Sequence, residues 1–228
     1  MAVLRIHQFQ AMLDRWDDCM GRTREYASCF ERLGASSRLF QVAYGGDQQD
    51  MWLVTSMRDW FQAGEISQQL EADPDYQRLR RDDRDAPVFA DATIFAFDEI
   101  PLPELVEPMS DPLPASGDGA LSAGPAIWQV HDFEPLRPRW NDCLARADEN
   151  SQFMGRAGIP SRLYVAGPGD PAGAMHMLFI NELDNWVQFG AFLEYCKNHP
   201  GYAEMFEEGV SDSVHTNYSL RTLAEVPL

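Results

Sequence analysis

Five histidines are the side chains of this sequence best suited to acid–base or metal chemistry, and they are unevenly spread along the chain. They are His7, His131, His176, His199 and His215. An imidazole titrates near neutral pH and is a common metal ligand, so neighbouring histidines indicate proton transfer or metal binding. His7 and His131 occupy matching places in two similar halves of the chain, whereas the other three occur only in the second half. Any site that combines them is therefore single.

Three of these histidines are expected at one edge of a sheet in the second half. His131 is near the end of a predicted strand, and His176 and His215 are near the beginnings of two others. If those strands are antiparallel neighbours, the three imidazoles could bind a transition metal, or one could ligate haem iron. Alternatively, they are separate hydrogen-bonded or solvated histidines, because a shift of one residue in register turns a side chain to the opposite face.

A second chemistry needs no metal. A cofactor-free oxygenase requires an electron-rich substrate, an apolar cavity that excludes water, and polar groups that hold a substrate oxyanion. In this hypothesis the catalytic residues are His131 and His7, with Arg162 and Arg38 stabilising negative charge, unless these arginines are only solvated charges. The substrate-binding walls would come from four tryptophans, Trp16, Trp140, Trp52 and Trp128.

The sequence segments that should position these residues occur twice, as a tandem repeat. WDDCMGR at 16–22 recurs as WNDCLAR at 140–146, and the matches keep an offset of 124 residues that becomes 126 after a Gly/Pro turn. Within the first heptapeptide, Asp18 and Arg22 stand four residues apart, which predicts an ion pair on a helix surface. Since the motif repeats with its scaffold, a structural role is the simpler interpretation.

Each copy has the pattern strand, helix, strand, strand, helix, strand. Alternating apolar residues predict the strands, and apolar residues at helical spacing predict the helices. This order is the βαββαβ, or ferredoxin-like, motif, with an expected strand order of 4-1-3-2. We predict a first unit over 1–102, a Pro/Ser/Gly-rich linker over 103–125 and a second unit over 126–228.

A four-stranded sheet covered by helices on one face needs a second layer on its other face. In this layout, and in residues such as LEADPDYQRL at 70–79, the sequence resembles the dimeric α/β-barrel superfamily, and within it NIPSNAP-type and antibiotic-biosynthesis-monooxygenase-type proteins. The resemblance implies an α+β fold in which two ferredoxin-like units form a single-chain dimeric α/β barrel. Such proteins include cofactor-free monooxygenases, cyclases of aromatic polyketides and haem enzymes, so the resemblance implies the fold more directly than the activity.

Composition narrows the classes of partner. The formal net charge is -18, from 36 acidic and 18 basic residues, so nucleic acid and anionic membrane surfaces are not expected as partners. Four cysteines without CxxC spacing fit a reducing cytoplasm, and no stretch approaches the ~18 apolar residues of a membrane helix.

These patterns predict a small-molecule enzyme of specialised metabolism. We expect an oxygenase-like or cyclase-like catalyst that acts without a cofactor on an aromatic or polycyclic intermediate in an apolar cavity. Two alternatives stay open, a haem- or metal-dependent oxidoreductase that uses the second-unit histidines and a non-catalytic protein that holds a ligand or a partner. Pairing of two chains into a homodimer also stays open.

Overall fold

The computed structural model of the protein describes residues 1–103, 113, 124–167 and 175–228. Most of the predicted linker, 103–125, lies outside the described residues. Two compact units are distinguished along the chain. The first consists mainly of Met1–Glu99 and the second mainly of 124–164 and Met175–Ala224, so they follow the two copies of the repeat and are named after them below.

The first unit has the predicted order of elements, with its second helical region broken in two. The elements are β1 (Val3–Ala11), α1 (Trp16–Arg32), β2 (Ser36–Tyr44), β3 (Asp50–Met57), α2 (Trp60–Ala72), α3 (Pro74–Asp85) and β4 (Phe89–Ile100). At the break, the Asp73 carboxylate accepts a hydrogen bond of 2.9 Å from the backbone N–H of Tyr76. Because Pro74 lacks an N–H and fits a first turn, a new helix begins there.

The second unit repeats this order. Its elements are β5 (Ile127–Pro135), α4 (Trp140–Arg156), β6 (Ser161–Ala166), β7 (Met177–Leu183), α5 (Trp186–Asn198), α6 (Pro200–Ser211) and β8 (His215–Val226). The Asn185 side chain caps α5 by accepting hydrogen bonds from the backbone N–H groups of Val187 and Gln188, at 2.9 and 3.0 Å. An asparagine is a favoured residue for this position, so the start of the helix follows from the sequence. Among the described residues, no helix has both the length and the apolar character needed to cross a membrane.

The predicted strand order of 4-1-3-2 is present in each unit. In the first unit β1 pairs antiparallel with β3 and β4, and β2 pairs with β3. In the second unit β5 pairs with β7 and β8, and β6 lies beside β7. The registers match as well, since His7 lies opposite Leu53 and His131 lies opposite Phe179.

A β-bulge at the same place in β4 and β8 shows which residues of the two copies correspond. Asp91 and Asn217 have positive φ angles of 50° and 52°, and the register shifts beside them. Asp and Asn adopt this left-handed conformation more readily than most residues, because their short polar side chains can bond locally. The next residues therefore correspond, and Ala92 of the first unit matches Tyr218 of the second.

One face of each sheet is covered by the helices of its own unit. In the first unit the strand residues Phe9, Leu39 and Leu53 share a buried cluster with Cys19 and Ala27 of α1. In the second unit, strand residues and helix residues meet in the same way in a cluster formed by Ile127, Leu183, Phe153, Met154 and Phe192. Because side chains alternate along a strand, the neighbours of these strand residues point to the opposite face.

The predicted ion pair between Asp18 and Arg22 does not form. Asp18 binds Arg15 instead, with an N–O distance of 2.9 Å, and Arg22 binds Asp83 of α3. The prediction was wrong because Asp83 offers Arg22 a less exposed carboxylate on the neighbouring helix. This pair connects α1 to α3 above the sheet.

Candidate functional site

His7 and His131 lie on the helix-covered faces of their sheets. The His7 ring packs edge-on against Phe30 of α1, with ring centres 5.7 Å apart. The His131 ring packs in the same manner against Phe179 of β7, also at 5.7 Å. Each histidine lines a pocket between the strands and helices of its own unit. The structure therefore places both predicted catalytic histidines beside space that a small molecule could enter.

The pocket of the first unit is a mainly apolar cavity of about 280 Å³. Its apolar walls include Phe9, Leu53, Phe89 and Ile94. An engineered apolar cavity of about 150 Å³ binds benzene. The first-unit cavity therefore has room for a ligand with two fused rings.

Several polar groups of this cavity come from the helices. Tyr26 donates a hydrogen bond of 2.5 Å to Asp83, which also accepts one from Arg22. Burial and the nearby carboxylate raise the pKa of Tyr26 well above its usual value, so its hydroxyl stays protonated. Tyr76 and Arg80 also line this side of the cavity.

His7 is available to a ligand. It makes no hydrogen bond to any described residue, and its Nε2 atom is buried. Burial, and then the positive charge of Arg5, lower the pKa of His7 to about 3. The imidazole is therefore neutral at physiological pH, with one N–H to donate and one lone pair to accept. Because a buried nitrogen without a partner is costly, a ligand that bonds His7 gains free energy.

Arg5 brings a positive charge to the same sheet face. Its guanidinium lies over the ring of Phe30, with 5.6 Å between Cζ and the ring centre. Within the described part of the chain, no carboxylate pairs with Arg5. Burial lowers the pKa of Arg5, but a guanidinium keeps its proton in proteins. This cation disfavours a protonated His7 and favours a negative charge on a bound ligand.

The matching histidine of the second unit is already hydrogen-bonded. Its pocket measures about 100 Å³. The Nδ1 atom of His131 lies 2.8 Å from the hydroxyl of Tyr218, and Nε2 lies 3.4 Å from Nδ2 of Asn181. Asn181 also donates to Gln129 at 3.1 Å and accepts from Ser161 at 2.7 Å. Burial lowers the pKa of His131 to about 4 and raises that of Tyr218 to about 12, so both are neutral at pH 7.

The three histidines of the predicted metal site are not brought together. His131 and His215 line one pocket, but Nε2 of His176 lies 2.5 Å from a carboxylate oxygen of Asp132. Because His131 and Asp132 are consecutive residues of β5, their side chains point to opposite faces of the sheet. In the described portion of the protein, no group of three His, Cys, Asp or Glu side chains is placed to hold a metal ion.

The two predicted catalytic histidines, His7 and His131, also do not fit a haem group. Both ring nitrogens of His131 are engaged by Tyr218 and Asn181. His7 has free nitrogens, but its cavity of about 280 Å³ is less than twice the ~150 Å³ that holds benzene, and a porphyrin is several times larger than benzene.

Arg38 and Arg162 lie on the sheet faces opposite the two histidines, since their strand neighbours face the helices. Arg38 forms a two-point ion pair with Glu225, with N–O distances of 2.9 and 3.1 Å. Arg162 binds Glu182 at 3.0 Å. The cation that acts on His7 from the same strand is instead Arg5, and Arg80 lines the cavity from α3. A catalytic role for Arg38 or Arg162 stays a prediction.

The four tryptophans are not among the described lining residues of the two pockets. Trp52 and Trp128 are buried on the sheet faces opposite His7 and His131. Trp16 and Trp140 begin α1 and α4 and are partly buried. The described linings of the two pockets contain none of the four, so their role in substrate binding stays a prediction.

Sequence reasoning missed the residues that make the two histidines different. These are Tyr218 and Asn181 in the second unit and Ala92 and Thr55 at the matching positions of the first. The sequence could have revealed these differences, because the offset of 126 residues aligns Tyr218 with Ala92 and Asn181 with Thr55. A comparison of the unmatched positions, and not only of the repeated ones, would have found them.

Comparisons with known proteins agree on the fold. The chain is similar to a proposed monooxygenase from Fusobacterium nucleatum, with 7% identity, a TM-score of 0.64, and coverage of 99% of this chain and 93% of that one. It is similar to an anthrone oxidase-like protein, with 10% identity, a TM-score of 0.59, and coverage of 99% and 92%. It is also similar to chlorite dismutase from Candidatus Nitrospira defluvii, with 12% identity, a TM-score of 0.52, and coverage of 99% and 91%.

No protein-family model matches the sequence, and no curated protein matches it. The structural likeness shows the fold, which is of the dimeric α/β-barrel type. The predicted fold class, an α+β tandem duplication of βαββαβ units of the single-chain dimeric α/β-barrel type, is therefore confirmed. At identities of 7–12%, the activities named for these proteins do not transfer by similarity alone.

Proposed function

We propose that the protein is an oxygenase-like or cyclase-like enzyme of specialised metabolism that acts, without a cofactor, on an aromatic or polycyclic intermediate. The observation that carries this proposal is a free, neutral His7 in a mainly apolar cavity of about 280 Å³. The likeness in fold to a proposed monooxygenase and to an anthrone oxidase-like protein supports it.

In this proposal His7 orients the substrate and is not a strong base. A phenolic hydroxyl has a pKa of about 10, so moving its proton to a group of pKa about 3 would cost roughly 9 kcal/mol. The neutral imidazole instead donates its N–H to the substrate oxygen, and the proton of the hydroxyl leaves to solvent. Arg5 stabilises the resulting oxyanion, because no carboxylate among the described residues neutralises its charge.

An activated phenol can supply all the electrons that oxygen needs. In the oxygenase reaction, one oxygen atom enters the ring to give a quinone, and the other leaves as water with the two hydrogens removed from the phenol. No external reductant is required. A cyclase reaction in the same cavity would use the same oxyanion contacts but would consume no oxygen.

The test is oxygen consumption by purified, metal-free protein with a panel of hydroxynaphthalenes, combined with mass spectrometry of the products. We expect one substrate to consume one oxygen per quinone formed, or to cyclise without oxygen. The turnover should fall at least tenfold in His7→Phe, by loss of one charge-assisted hydrogen bond.

His131→Phe is the matched variant, because it removes the corresponding histidine of the second unit. If His131→Phe abolishes turnover while His7→Phe retains it, the proposed site is wrong. If no substrate of the panel reacts but several bind, the protein is a ligand-binding protein, and the enzymatic proposal fails.

A further inference from the structure

The second unit places a phenol of its own against its histidine. The hydroxyl of Tyr218 lies 2.8 Å from Nδ1 of His131, and its ring is stacked on His215, with ring centres 5.2 Å apart and planes at 21°. Tyr218 is 48% exposed, so its ring forms the outer wall of the pocket. A phenol is therefore held by a hydrogen bond to one imidazole and by stacking on an aromatic ring.

The first unit keeps this arrangement but lacks the phenol. The position of Tyr218 is taken by Ala92, which lines the cavity but offers no ring and no hydroxyl. The stacking residue is replaced by Phe89, which is held in place by Phe9 at a ring distance of 4.7 Å. The cavity measures about 280 Å³ where the pocket of the second unit measures about 100 Å³. The space, the stacking surface and the hydrogen-bonding imidazole all remain, and only the phenol is missing.

We infer that the first-unit cavity binds a phenolic ligand in the place that Tyr218 fills in the second unit, so that the duplicated chain has one ligand site. The ligand hydroxyl bonds the His7 imidazole, and its ring stacks on Phe89. The volume favours two fused rings. This inference names the substrate class of the proposed enzyme and rests on the same cavity, but it concerns binding and does not require turnover.

The charges of the two units support the same ligand. Arg5 is matched in the second unit by Gln129, whose side-chain oxygen accepts a hydrogen bond from Asn181. At the sheet face the neutral Gln129 suits the neutral Tyr218 hydroxyl, and the cation that lines this pocket, Arg146, is paired with Asp212. A cation in the first unit suits a hydroxyl that ionises when it binds. Arg5 therefore favours ionisation of the bound hydroxyl, whereas the carboxylate of Asp83, which lines the same cavity with Arg80, opposes it.

The first experiment is a titration of the full chain with 2-naphthol, followed by its fluorescence and by calorimetry. We expect one equivalent to bind per chain. The methyl ether, 2-methoxynaphthalene, should bind at least tenfold more weakly, because it cannot ionise or donate a hydrogen bond. Two equivalents in the unaltered protein, or equal affinities for the naphthol and its ether, would overturn the inference.

Reciprocal variants test the correspondence between Ala92 and Tyr218. Ala92→Tyr should fill the first-unit site and weaken naphthol binding at least tenfold. Tyr218→Ala should open the second unit and add a second equivalent, whereas Tyr218→Phe, which keeps the ring, should leave one equivalent. Position 92 is exposed, so Ala92→Tyr should retain the circular dichroism spectrum of the folded protein. If a folded Ala92→Tyr binds as tightly as the unaltered protein, or if Tyr218→Ala still binds one equivalent, the inference is wrong.

The binding experiment and the turnover experiment can contradict the two proposals independently. Naphthol binding that depends on Ala92 in a protein without oxygen consumption or cyclisation supports this inference and contradicts the proposed enzyme. Turnover of a panel substrate that Ala92→Tyr does not affect supports an enzyme and contradicts this site.

Discussion

The hydroxyl of Tyr218 lies 2.8 Å from Nδ1 of His131, and this contact separates the chemistry of the two histidines. At the matching position of the first unit, Ala92 has no group that could reach His7. In the second unit the imidazole of His131 is therefore hydrogen-bonded within the protein, whereas in the first unit the imidazole of His7 faces a cavity without a partner among the described residues. Two units with one scaffold thus differ in the one property that matters for ligand binding.

Lowering the pH should destabilise the protein through its two buried histidines. Burial lowers the pKa of His7 to about 3 and that of His131 to about 4, from a usual value of 6.5. Between these values and pH 6.5 the unfolded state binds more protons than the folded state, so stability falls as the pH falls. From pH 7 to pH 5, each histidine should contribute a loss of about 2 kcal/mol in the free energy of unfolding.

The measurement is urea unfolding at pH 7, 6 and 5 and at constant ionic strength. His7→Phe and His131→Phe should each lose about 2 kcal/mol less than the unaltered protein over this range. The comparison removes the contribution of the many carboxylates, since all three proteins share it. Parallel losses in the three proteins would show that neither imidazole is held neutral by the fold.

Removal of the Thr55 hydroxyl should not destabilise the first unit. The Oγ1 atom of Thr55 is buried and has no hydrogen-bond partner among the described residues, whereas the matching Asn181 bonds Gln129 and Ser161. Thr55→Val keeps the shape of the side chain and should stabilise the protein by about 1 kcal/mol. Asn181→Leu removes a hydrogen-bond partner from Gln129, Ser161 and His131 and should destabilise it by about 2–4 kcal/mol. Thermal and urea unfolding measure both changes. A destabilised Thr55→Val would mean that a buried water bonds the hydroxyl.

The sequence contained nearly all the information needed for the fold. Apolar periodicity and the repeated residues predicted the element order in each unit. The ion pair of Asp18 with Arg22 could not be judged in this way, because it depends on which side chain the next helix offers, and that carboxylate is supplied by Asp83.

The candidate site was predictable only in part. The repeat placed His7 and His131 at matching positions, but their face of the sheet depends on register, which periodicity alone does not determine. The observed register places Arg38 on the sheet face opposite His7 and places Arg5 on the same face as His7. The separation of His176 from His131 has the same cause.

The carboxylate of Asp83 should be important for stability. It binds Arg22 and the hydroxyl of Tyr26, and the side chains of Arg22 and Asp83 are only 14% and 25% exposed. Asp83→Asn leaves the arginine charged and poorly compensated, so we expect a loss of about 2–3 kcal/mol. Asp212→Asn is an exposed control in the second unit, because Asp212 pairs with Arg139 but is 63% exposed, and it should cost much less than Asp83→Asn. Urea unfolding of both variants gives the comparison, and equal losses would contradict the difference in burial.

Arg5 should set the ionisation of a bound phenol. A phenol in water has a pKa of about 10, and a nearby guanidinium in a mainly apolar cavity should lower it by one unit or more. In Arg5→Gln, which installs the residue of the second unit, the pKa of bound 2-naphthol should rise by at least about one unit. The absorption shift of naphthol on ionisation, followed from pH 6 to 11, measures this directly. Arg38→Gln is the control for the sheet face, because Arg38 lies on the face opposite Arg5 and is paired with Glu225. If Arg38→Gln raises the pKa of bound naphthol and Arg5→Gln does not, the ligand lies on the other face of the sheet, and the first-unit cavity is not its site.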